Sequence, residues 1–148
     1  VTVERRGYWP IDEGWQDLAQ AWNDSVKTRF PFAGIVPDRP YPPTGLNTAR
    51  WRQEVPPTIV LFRGLWLTQS GVDVMSLFGV PAEHTADDPV PHVVFHNGRY
   101  YVEDGHSRII RLAMGFATWT IARVWHTEAS IRITMTNATA VFEKVKDE

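Results

Sequence analysis

The chain has 148 residues, a formal charge of −2 and no cysteine. That length predicts one domain, large enough to bury a core without covalent staples. The missing thiols exclude a disulfide framework, thiolate metal sites and a cysteine nucleophile, and the slightly acidic balance argues against general binding of duplex nucleic acid by phosphate neutralisation.

The elements are read in chain order. No signal-peptide apolar region opens the chain at VTVERRGYWP, and no stretch reaches the roughly 18 apolar residues of a membrane span. The expectation is therefore a cytoplasmic protein of a bacterial or phage-infected cell. Residues 12 to 30 read as an amphipathic helix, with Trp15, Leu18, Ala19, Trp22 and Val26 on one face and Asp12 as N-cap. Residues 31 to 57 hold seven prolines, a density that leaves little regular structure. This stretch is either a flap carrying Arg39, Arg50, Arg52 and Tyr41 over a ligand, or a surface strap packed by Tyr41 and Trp51. A short helical turn is expected around Thr48 to Gln53.

Residues 58 to 70 read as one strand, or as two broken at Gly64, and residues 72 to 80 as a short helix closed by Gly79. A polar loop follows over 82 to 91. HVVFHNGRYYVED, residues 92 to 104, is the clearest local signal: two β-prone runs flank Asn97-Gly98, the dipeptide of a tight hairpin turn. Ile109, Leu112, Ala113 and Phe116 then trace a helical face ending near Gly115. Residues 119 to 125 and 129 to 135 read as strands, and the tail as a terminal helix or frayed end. The sum is an α+β fold, a compact single domain with a small mixed sheet and helices. Its segments are a helix and proline-rich strap over 1–55, a core over 56–127, and a C-terminal extension over 128–148.

Asp104-Gly105-His106-Ser107-Arg108 joins the second hairpin strand to the next helix. A glycine before a helix lets backbone N–H groups approach a ligand, and the first helical turn carries unsatisfied donors and partial positive charge. Such a start holds an anion. Ser107 adds a hydroxyl, Arg108 a planar charged fork, and His106 a group that titrates near neutrality. Asp104 suits an N-cap or an Mg²⁺ ligand. An ordinary capped helix explains the same spacing. His92 and His96 lie about 13 Å apart on a strand, too far to share an ion, so no metal site is assigned.

The stretch VPHVVFHNGRYYVEDGHSRIIRLAMGFATWTIARV, with its hairpin, Gly-x-x-Arg junction, Gly115 and Ile121-Ala122-Arg123-Val124, resembles the ParB/sulfiredoxin-like superfamily. LWLTQSGV upstream is similar to a segment of small ParB-like proteins, and the resemblance spans roughly residues 56 to 127. It implies a ParB/sulfiredoxin-like fold that binds a nucleoside triphosphate, ATP or CTP, with Mg²⁺. Gly105, Ser107, Arg108, Thr68 and Gln69 would hold the phosphates, and Asp104 and His106 would be catalytic, in an NTP hydrolase or phosphotransferase. His106 stands where sulfiredoxin has its cysteine, so cysteine-based repair is excluded, and Ser107 departs from the basic residue of other junctions. No helix-turn-helix segment follows. The alternatives are a non-catalytic phage or mobile-element interaction protein, meeting a protein partner through Trp15 and Trp22, and a ParB-like nuclease, which the charge disfavours.

Overall fold

The computed structural model describes residues 7–22, 29–80 and 90–127. Its elements are β1 (Trp9–Pro10), α1 (Ile11–Trp22), β2 (Gly34–Ile35), α2 (Thr48–Glu54), β3 (Pro57–Leu61), β4 (Leu65–Leu67), β5 (Gly71–Val72), α3 (Val74–Phe78), β6 (His92–His96), β7 (Arg99–Asp104), α4 (His106–Met114) and β8 (Trp119–His126). A 3₁₀ turn over Phe62–Gly64 separates β3 from β4, so the apolar run is two strands. Of the expected elements, residues 23–28 of the helix over 12–30, with Val26, residues 82–89 of the loop over 82–91, the strand over 129–135 and the C-terminal tail lie outside the described residues.

Six strands form one mixed sheet in the order β2-β4-β7-β6-β8-β3, and β1 pairs with β5 in a two-stranded ribbon. The expected α+β architecture with a mixed sheet and helices is present. The hairpin β6–β7 turns on Asn97 at φ 52 and Gly98 at φ 85, the left-handed pair that a type I′ turn requires. Helix α2 begins at Asn47, whose side chain accepts from the Arg50 N–H at 2.8 Å. Helix α3 begins at Asp73 in the same way, accepting from Ser76 N.

Side chains alternate across the sheet, and both faces are covered. On one face Leu65, Leu67, Val93, Val102, Ala122 and Val124 pack with Ile109, Ile110 and Leu112 of α4, with Leu77 of α3, and with Trp9, Ile11 and Trp15. On the other, Val94 and Tyr101 pack against Tyr41, Trp51 and Val55, with Trp66 and Trp125 at the margin. The proline-rich segment, with the short helix α2 inside it, is thus a strap that supplies the second layer. A β-bulge shapes its seat. His92 pairs with Asp104 and Val93 with Val102, which leaves Glu103 unopposed. Arg39 fills the gap: its Nη2 donates to the Glu103 carbonyl at 3.0 Å and its Nη1 to the carboxylate at 3.2 Å. The Tyr41 hydroxyl donates to the other carboxylate oxygen, and burial together with that carboxylate raises the Tyr41 pKa.

The N-terminal helix corrects two expectations. It starts at Ile11, so Asp12 lies in the first turn instead of capping it. Trp15 is no contact surface: it is 4% exposed, meets Trp9, Phe30 and Phe32 edge-on, and donates from Nε1 to the Arg29 carbonyl at 3.1 Å. Trp22, on the same helix, is 56% exposed. Trp15→Ala is expected to cost about 3–5 kcal/mol in urea unfolding, and Trp22→Ala less than about 1 kcal/mol. Glu103→Ala strands the Tyr41 hydroxyl and frees Arg39; the expected loss is about 1–3 kcal/mol, read by the same measurement.

Candidate functional site

Gly105 occupies the left-handed region at φ 97 and serves as the N-cap position of α4, without a side-chain cap. A side chain there would be strained by the backbone, and its Cβ would lie 2.9 Å from Pro91 Cβ and 3.0 Å from Pro91 Cα. The junction glycine is therefore explained by packing and backbone geometry alone. Asp104 is the last residue of β7, not the cap: its Oδ1 accepts from the Gly105 N–H at 2.9 Å.

His106 turns inward. It is 3% exposed, and its Nε2 accepts from the Thr68 N–H at 2.9 Å. The Thr68 hydroxyl donates to the Val102 carbonyl at 2.6 Å. These bonds tie β4, β7 and the start of α4 together. Because Nε2 accepts, the ring proton of the neutral form sits on Nδ1, which is buried and has no hydrogen-bond partner among the described residues. Burial, with a smaller contribution from the Arg39 charge, pushes the His106 pKa down to about 4. Protonating Nε2 would break the bond to Thr68.

The junction's outward side opens on a cavity of about 500 Å³ lined by Asp104, Gly105, Arg108, Arg52, Arg123 and His92, with Val80, Val90, Pro91 and Thr48. Three arginines reach it from α2, α4 and β8. Arg108 is 7% exposed, and Arg123 is steered by donating from Nη1 to the Val55 carbonyl at 2.6 Å. His92 stacks on Trp51 at 4.3 Å with rings 4° from parallel, and burial, first among several causes, lowers its pKa.

The sequence-predicted set therefore divides. Asp104, Gly105 and Arg108 share the cavity. Thr68 and His106 bond to each other in the interior. Ser107 and Gln69 are not among the residues lining it, and Gln69 is exposed. Arg123 and the Trp51–His92 stack were not assigned to a site from sequence, because the sheet pairing that brings them together is long-range. Among the described residues no group of three His, Asp or Glu side chains is placed to hold a metal ion, and no helix is long and apolar enough to cross a membrane.

His106 gives the stability a definite pH dependence. Above pH 6.5 the ring is neutral in both folded and unfolded states. As pH falls from 6.5 toward 4, the unfolded chain takes up a proton that the folded chain refuses, so stability falls, by roughly 3 kcal/mol from this group. Urea unfolding at pH 7 and 4.5 is expected to show a shallower decline for His106→Gln than for the wild type. Equal slopes would remove His106 as the cause.

The family model that matches the chain is described as Antitoxin VapB-like and covers residues 31–128. No curated protein and no solved structure matches. The matched span runs through the whole six-stranded sheet, including the stretch that resembled ParB and sulfiredoxin. That resemblance is corrected by the family match: the hairpin, the glycine-to-arginine junction, Gly115 and the strand over 121–124 that carried it all lie inside the matched span. The nucleoside triphosphate-binding function, the ParB-like interaction and nuclease alternatives, and the expectation of ATP or CTP with Mg²⁺ came with it and lose their basis. By a match across well over half its length, the chain belongs to the VapB-like antitoxin family.

Proposed function

We propose that the protein is an antitoxin that acts by binding a toxin protein and blocking it, without catalysing a reaction. The observation that carries this reading is the family match over residues 31–128. The surface supports a protein partner. Ile59 and Ile121 are paired across β3 and β8, as are Leu61 and Trp119. All four are between 38% and 65% exposed, on the sheet face that the strap covers elsewhere. Apolar side chains grouped in this way are a feature of protein contact sites.

A toxin–antitoxin pair makes a direct test possible. Expression of the protein encoded by the adjoining gene is expected to arrest bacterial growth, and co-expression of the present chain to restore it. The two purified proteins should co-elute as a complex in size-exclusion chromatography. An adjoining product that is harmless alone, or that neither co-elutes with this chain nor is neutralised by it, would sink the reading.

A further inference from the structure

A groove of about 930 Å³ lies between residues 29–32, the end of β3 with the turn after it, and the end of α4. Its walls are Phe30, Phe32, Leu61, Phe62 and Phe116, with Arg29 and Arg63 among its lining. No carboxylate is found among the described lining residues.

Phe116 is the unusual member. Helix α4 closes with the Phe116 N–H donating to the Ala113 carbonyl and the Ala117 N–H to the Leu112 carbonyl, both at 3.0 Å. This is the Schellman arrangement, in which the residue at C′ is left-handed and usually glycine. Here it is phenylalanine at φ 68. The phenyl ring is 44% exposed and meets the Trp22 ring edge-on at 5.3 Å. Burial does not recompense a bulky residue in this conformation, which costs on the order of 1 kcal/mol. What the conformation accomplishes is to hold an aromatic ring at the rim of the groove.

We propose that this groove receives an apolar segment of the partner protein, and that the segment carries a carboxylate which pairs with Arg29 and Arg63. The inference rests on the antitoxin reading and names the surface it uses. Aromatic and arginine side chains are the types that dominate binding energy in protein interfaces. Two guanidinium groups with no acid among the described lining residues favour a negative partner. A protein segment fits better than a small molecule because the apolar surface continues past the cavity. It runs through Leu61 to Ile59, Trp119 and Ile121, and through Phe116 to Trp22.

The test uses the full chain and the purified product of the adjoining gene, with affinity measured by calorimetry and folding by thermal unfolding. Phe116→Gly is expected to keep or raise the melting temperature, since glycine suits φ 68, and to weaken binding roughly tenfold or more. Arg29→Glu combined with Arg63→Glu should weaken it by a similar factor. Met75→Ala, on the exposed side of α3, should leave affinity unchanged. If the wild type binds and both groove variants bind within about twofold of it, the groove is not the contact and the antitoxin reading stands. If the wild type does not bind at all, that reading fails and this proposal fails with it.

Discussion

A sheet buried on both faces needs two covering layers, and α1, α3 and α4 supply one of them. The second is supplied by a proline-rich strap held at the β7 bulge. There Glu103, left unopposed in the ladder, gives its carbonyl and carboxylate to Arg39 and its second carboxylate oxygen to Tyr41. With the strap seated, Tyr41, Trp51 and Val55 close over Val94 and Tyr101. The Trp51–His92 stack and the Arg123 bond to Val55 follow from that seating. The bulge is the point at which a segment poor in regular structure becomes part of the core.

The covering is uneven, and the unevenness bears on function. The strap protects the centre of the sheet and stops short of β3 and the start of β8. Ile59, Leu61, Trp119 and Ile121 are exposed next to the groove walled by Phe32, Phe62 and Phe116. The junction between β7 and α4 is quieter than its composition suggests. Glycine there accommodates Pro91, and histidine accepts a backbone hydrogen bond. Its arginine enters a cavity shared with two others.

Elements fixed by neighbouring residues are legible in the sequence. Asn97-Gly98 turns the hairpin because both residues take left-handed backbone, a requirement visible in two letters. The break near Gly64, the short helix at Thr48 and the closure of α3 by Gly79 are local in the same sense. What needed distant partners was not legible. Trp15 and Trp22 share a helical stripe, yet only Trp15 meets Phe30 and Phe32. The spacing from Gly105 to Arg108 suggested phosphate chemistry because the neighbour that requires the glycine, Pro91, sits on another strand's approach. Arg123 joined Arg108 only through strand order, which periodicity does not encode. The family likewise emerged from the whole span 31–128 and not from its five most reactive residues.

Among the described strands, the two at the borders of the sheet are both poor templates for pairing. One border strand, β2, is only two residues long. The other, β3, opens with Pro57 after Pro56, and proline offers no N–H for a neighbouring strand to bond. An edge blunted in these ways resists adding copies of itself into fibrils. The backbone at these borders thus disfavours self-polymerisation, although the side chains of Ile59 and Leu61 on β3 are apolar and exposed.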